Sequence, residues 1–188
     1  IVKRLAPDAS VELLIAAMLH DADRFFDGYY IMMRDEPAID SEQYKNYYKP
    51  IQHPRMAAEF VGPLLRLLGI DERIVDRVDI LITNHETGIP GDEESGILKD
   101  ADAISMFTPV LLTNVLSDLG KDGFRHSVSQ KYTRVSAFSR AVIDGLMRDR
   151  ESEFRTTAEG NTAYDIFLQV QRKTGAVLKT ESIAREKR

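Results

Sequence analysis

Apolar side chains recur at three- and four-residue intervals along most of this chain. Val11, Leu14, Ile15 and Met18 repeat at helical spacing within residues 9–20, behind the capping candidates Asp8 and Ser10, and predict a first helix. Residues 54–68 predict a second. Pro54 suits its first turn, Gly69 suits its C-terminal cap, and Phe60, Leu64, Leu67 and Leu68 share a face. A third helix over 71–85 starts at Asp71 and carries Ile74, Val75, Val78 and Ile82. Turn residues mark 88–96 as a loop. Further helices are predicted over 97–119, with a bend available at Pro109, and over 127–148 and 162–179. No run alternates with period two. The pattern predicts an all-α protein, one helical bundle spanning 1–188, with the helices of 121–188 packed on its core.

Residues 27–52 interrupt the pattern. They are polar, aromatic and irregular, with Gly28, Pro37 and Pro50. An insert of that length is uncommon in a compact domain unless it serves a purpose such as covering a site. Its tyrosines, Tyr29, Tyr30, Tyr44, Tyr47 and Tyr48, suit packing of the insert onto the domain; a lid over a base or sugar is the other reading.

Composition narrows the possible chemistry. The chain has 188 residues, 43% of them hydrophobic, enough for a substantial core. No apolar run approaches 18 residues, so no membrane span and no membrane partner are expected. Cysteine is absent, which excludes disulfides and thiolate metal sites and suits a cytoplasmic location. A metal would have to be held by imidazole and carboxylate, a donor set suited to Mn, Fe, Co, Ni, Mg or Zn. Residues 1–120 carry 11 basic against 21 acidic side chains, and residues 121–188 carry 14 against 9. The acidic first part is poor for gripping a long nucleic acid and compatible with a cation site. The basic second part suits either phosphate binding or a solvated helix surface. A homodimer is compatible with all of this.

The chain has four histidines, and three of them stand at expected helix ends. His20 ends the first helix and is followed directly by Asp21. His53 opens the second, and His85 closes the third. A helix end lets neighbouring side chains converge on one point, whereas neighbours in mid-helix diverge. Asp102 lies in the apolar stretch Ile97-Leu-Lys-Asp-Ala-Asp-Ala-Ile-Ser-Met-Phe107, on one face with Leu98 and Met106. An inward carboxylate there is costly unless it is paired or bound to a cation. A surface ion pair is the alternative. His126, the fourth histidine, reads as a surface residue.

These segments resemble the HD superfamily of metal-dependent phosphohydrolases. Ala17-Met-Leu-His-Asp-Ala-Asp-Arg24 is similar to its central His-Asp motif, and Ile97-Leu-Lys-Asp-Ala-Asp-Ala-Ile104 to its last motif, which makes Asp102 rather than Asp100 the ligand. His53-Pro54 and Asn84-His85-Glu86-Thr-Gly88 resemble the two extra histidines of dinuclear members. The likeness covers roughly 11–107. It implies an HD-type domain, one or two divalent ions held by His20, Asp21, His53, His85 and Asp102, and a small phosphorylated substrate, nucleotides foremost. Asp21 would bridge the two ions, with His20 and Asp102 on one, His53 and His85 on the other. Arg24 occupies the place of a lysine common in that motif. The resemblance assigns it to a substrate phosphate and to transition-state charge, with a surface salt bridge as the alternative. Lys131, Tyr132 and Arg134 resemble a basic-aromatic segment found after the last Asp in some members, which would make them substrate-binding; a solvated helix face is the alternative. The superfamily has a further His on a helix before the His-Asp pair. None precedes His20 here, and since the chain begins at Ile1 that residue is expected upstream. Two alternatives remain open: a di-iron oxygenase, a chemistry the same superfamily supports on similar ligands, and a ligand-sensing domain without catalysis.

Overall fold

The structure is a computed structural model that describes residues 1–23 and 52–186. Arg24 and residues 27–51 of the expected insert, including its five tyrosines, lie outside the described residues. Those described are helical, with no strand among them. The elements are α1 (Val2–Leu5), α2 (Val11–Leu19), α3 (Gln52–Leu67), α4 (Glu72–Thr83), α5 (Glu93–Ser105), α6 (Pro109–Arg134), α7 (Ala137–Asp149), α8 (Glu151–Phe154) and α9 (Ala158–Glu186). The chain divides into two compact units, Ile1–Asp102 and Ala103–Arg188.

In the first unit α4 packs against both α2 and α3. Its buried Val75, Val78, Leu81 and Ile82 form the stripe that the spacing predicts, and Asp71 caps it through the Arg73 amide. The other two helices bury faces shifted from the predicted ones, although Leu14, Ile15 and Phe60 still pack partly buried against the core. On α2 the buried residues are Leu13 and Ala16, while Val11 and Met18 face outward. On α3 the stripe runs His53, Ala57, Val61 and Leu65, and Leu67 and Leu68 are exposed. Alanines at 57 and 58 offer little apolar area but allow close approach of a neighbouring backbone, and packing favours that face over the larger leucines.

The loop before α5 is tied down by ion pairs and a cap. The guanidinium of Arg77 on α4 donates to both oxygens of Asp92, at 2.6 and 2.8 Å, and to Glu94 at 2.8 Å. Asp92 also accepts from the Ser95 amide at 3.1 Å and so caps α5, while the Ser95 hydroxyl accepts from the Ile89 amide. The helix thus starts four residues before the predicted 97. The hydrogen bond from Arg77 is the main cause that holds the Asp92 carboxyl down at about 2, below the usual carboxylate value. This contribution to stability is present above about pH 4. It is lost as pH falls toward about 2, where Asp92 takes up its proton in the folded state too. Asp92→Ala should lower stability by about 1–2 kcal/mol at neutral pH through loss of the cap. Asp92→Asn should keep the cap yet flatten the acid limb of a plot of melting temperature against pH. An unchanged acid limb in the asparagine variant would contradict this role.

The predicted helices 97–119 and 127–148 are divided differently. α5 ends at Ser105, Thr108 caps α6 through the Leu111 amide, and Pro109 takes the first helical position instead of bending a continuous helix. α6 is interrupted at Gly120, whose φ of 65° only glycine adopts without strain. α6 then runs through 127 to Arg134, and Ser136 caps a new helix, α7, through the Ser139 amide. α6 packs against α9, and between them lies an aromatic core containing Phe107, Phe124, Tyr132, Tyr164 and Phe167. No single described helix is long and apolar enough to cross a membrane.

Candidate metal centre

The packing of α2, α3 and α4 brings the end of α2, the start of α3 and the end of α4 together. His20 is the C-cap of α2, His53 is the second residue of α3, and His85 follows the C-cap residue Asn84 of α4. The three imidazoles meet edge to face. The centroid of His85 lies 4.9 Å from that of His20 and 5.2 Å from that of His53. Asp21 lies between two of them. Its Oδ1 is 2.8 Å from His53 Nε2, and its Oδ2 is 3.7 Å from His20 Nε2. Asp102 Oδ1 reaches His20 Nε2 at 3.6 Å, with its side chain only 10% exposed. The five residues expected to converge do so, all within the first unit.

Each ring is held by its Nδ1 atom. His20 Nδ1 is 3.0 Å from the Ala17 carbonyl, and His85 Nδ1 is 2.7 Å from the Ile82 carbonyl. A carbonyl can only accept, so both rings carry their proton on Nδ1 and leave Nε2 as a lone-pair donor when neutral. His53 Nδ1 donates to Asp23 Oδ2 at 2.6 Å. In all three rings it is therefore Nε2 that faces the cluster; His53 Nε2 meets Asp21 Oδ1 at 2.8 Å, and His20 Nε2 lies beside Asp21 and Asp102. His85 Nε2 is fully buried and has no hydrogen-bond partner among the described residues. A buried polar atom without a partner costs free energy, and native proteins rarely leave one without a reason. Ligand atoms of His20, Asp21 and His85 all lie within 4.8 Å of one another, close enough to share one cation.

The electrostatics agree with this arrangement. Burial works against charge on His53, but hydrogen bonds to Asp21 and Asp23 outweigh it and raise its pKa to about 9. Burial likewise opposes charge on His20, and the carboxylates of Asp102 and Asp21 overcome it, so its pKa is also raised. His85 has no carboxylate in hydrogen-bond contact among the described residues, and burial depresses its pKa. Carboxylates aimed into a pocket of imidazoles favour positive charge at their centre. The donors are all nitrogen or oxygen, the set that binds first-row divalent ions and magnesium.

Of the two aspartates in the last motif, Asp102 is the one beside His20. Asp100 is buried and faces Lys99 Nζ at 3.8 Å. The sequence offers Asp23 only as a surface salt-bridge partner of Arg24; the signal for another role is its place two positions beyond Asp21, across the buried Ala22, in the turn that leaves α2.

The remaining candidates lie elsewhere. Arg24 is outside the described residues. Lys131, Tyr132 and Arg134 belong to the second unit. Tyr132 is buried there: its hydroxyl donates to Asp144 Oδ1 at 2.8 Å, and its ring packs against Phe107 and Phe167. The phenol expected to bind substrate is thus buried in the aromatic core of this unit. Lys131 and Arg134 are half-buried, and His126 is exposed as expected. The second unit also holds an open cavity of about 810 Å³ between α6 and α9, whose lining includes Arg125, His126, Lys173 and Thr174 but none of Lys131, Tyr132 and Arg134.

No protein-family model, curated protein or solved structure matches the chain.

Proposed function

We propose that this protein is a metal-dependent phosphohydrolase of the HD type, acting on a nucleotide or another small phosphate ester. The observation that carries the reading is the convergence of His20, Asp21, His53, His85 and Asp102, with the Nε2 atom of His85 buried and lacking a hydrogen-bond partner among the described residues. The donor set fits a divalent ion. His20, Asp21, His85 and Asp102 would hold it, which moves His85 from the ion that the resemblance gives it, and His53 with the second oxygen of Asp21 would extend the site toward another. Such an ion supplies a water of lowered pKa and stabilises charge on phosphoryl oxygens.

The chain's own residues supply orientation. The Ala17 and Ile82 carbonyls fix two rings, so their donor atoms need little rearrangement when an ion enters. Asp21 joins the two halves of the site because each of its oxygens faces a different imidazole. Arg24, three positions after Asp21, is assigned to the substrate phosphate on the sequence alone, where a bidentate guanidinium suits that role.

The test is metal analysis of the purified chain, followed by hydrolysis of p-nitrophenyl phosphate, bis-p-nitrophenyl phosphate and a nucleotide panel with each divalent ion. Turnover that chelation removes and Mn, Co, Ni or Mg restores is the expected result. Iron with an oxygen-dependent absorption change and no phosphate release would overturn it in favour of an oxygenase. Saturating ion should also raise the melting temperature, since ligand at about 100 times its Kd adds about 2.7 kcal/mol to a folded state that alone binds it. A melting curve indifferent to every ion, without turnover, would leave a non-catalytic domain as the better reading.

A further inference from the structure

The three histidines are held by different means, and the difference follows from where each stands on its helix. His20 and His85 lie at helix C-termini, where the last carbonyls have no amide partners, and each ring donates Nδ1–H to a carbonyl three residues back. His53 is the second residue of α3. A helix N-terminus presents unpaired amides and not the unpaired carbonyls of a C-terminus, so His53 cannot be held as His20 and His85 are. The acceptor comes from another segment: Asp23, in the turn after α2, 30 positions earlier in the chain and 2.6 Å from His53 Nδ1. Both side chains are only about 4% exposed. A buried carboxylate is unfavourable without such a partner, so this position is one where chance placement is costly.

We propose that Asp23 is a positioning residue for the centre: its carboxylate takes the Nδ1–H of His53 and thereby presents Nε2 beside Asp21. The proposal rests on the metal-dependent reading above and adds a residue which that reading does not contain. Asp23 differs from the Ala17 and Ile82 carbonyls in carrying a full negative charge. It therefore both orients His53 and strengthens it as a donor, the effect known from carboxylate–histidine pairs behind bound metals. Asp23 itself need not touch ion or substrate.

Asp23→Ala and Asp23→Asn separate orientation from mere tethering, because the asparagine carbonyl can still accept the Nδ1–H but brings no charge. Two readouts are used. In ¹⁵N-edited NMR of the metal-free protein, the wild type should show a downfield, slowly exchanging Nδ1–H from His53 that Asp23→Ala abolishes. In titrations with cobalt alone, Asp23→Ala should bind about 10–100-fold more weakly than wild type, with Asp23→Asn in between. The visible cobalt spectrum should change in the alanine variant and be partly restored by asparagine. A folded Asp23→Ala protein that binds cobalt as tightly as wild type, with the same spectrum, overturns the proposal. If the alanine variant fails to fold, the asparagine variant decides: unchanged affinity and spectrum overturn it. A wild-type chain that binds no cobalt or other divalent ion sinks the reading of the centre itself. The NMR signal then decides Asp23 alone, and its absence from the wild type refutes the positioning role.

Discussion

Replacing Asp21 with alanine is expected to abolish divalent-ion binding and phosphate-ester turnover together. The carboxylate is the piece that spans the site, with one oxygen 2.8 Å from His53 Nε2 and the other 3.7 Å from His20 Nε2. Its loss would remove the proposed ligand and also the negative charge that two imidazoles face. The fall in ion affinity should therefore exceed the ~10–100-fold typical of removing a residue that only orients a ligand. The fold should survive, because the side chain is 30% exposed in a turn and fills no part of the core. The control is Asp100→Asn. It alters another buried carboxylate of the same first unit, one that faces Lys99 and not His20. Calorimetric titration with manganese, and turnover at saturating ion, would read both variants. An Asp21→Ala protein that retains wild-type affinity, or an Asp100→Asn protein with an equal loss, would show that the assigned residues are not the centre.

The convergence of the three histidines with Asp21 and Asp102 was more legible in the sequence than the packing around it. His20, His53 and His85 could be placed because each sits beside a helix stop or start, and such boundaries leave marks: Pro54 near the start of α3, Asn84 and Gly88 beyond α4. Faces left weaker marks. The stretch Val-Glu-Leu-Leu-Ile-Ala-Ala-Met-Leu of α2 is apolar nearly all round, so periodicity could not choose Leu13 and Ala16 over Val11 and Met18. In α3 the largest apolar residues drew the predicted face toward Leu64, Leu67 and Leu68, whereas contact with α4 selects the stripe that ends in His53. The two helix breaks had readable caps in Thr108 and Ser136, yet long apolar spacing on either side masked them. For Asp23 the sequence offers only a surface salt bridge to Arg24, because its partner His53 is 30 positions away. Tyr132 shows the converse. Its neighbours Lys131 and Arg134 suggest a binding surface, but a residue's burial is set by the whole unit, and this one closes on Phe107 and Phe167.

His85→Leu should separate stability from ion binding. The imidazole is fully buried, and its Nε2 has no hydrogen-bond partner among the described residues, a state that costs about 1–3 kcal/mol in a metal-free protein. Leucine occupies a similar volume without that polar atom. It also gives up the Nδ1–H bond to the Ile82 carbonyl, but this oxygen still accepts from the Asn84 and His85 amides. The metal-free variant should therefore melt no lower than wild type, and up to several degrees higher, since about 1 kcal/mol moves the melting point of a chain of this length by roughly 2–4 °C. The ion-dependent rise should disappear, along with turnover, because an apolar wall now stands where the third donor was. A centre kept at the expense of stability behaves in this way; a core histidine held by packing does not. If His85 is only a packing residue, leucine will leave ion binding intact or destabilise the metal-free chain. Paired melting curves of wild type and variant, each with chelator and with saturating manganese, distinguish the two.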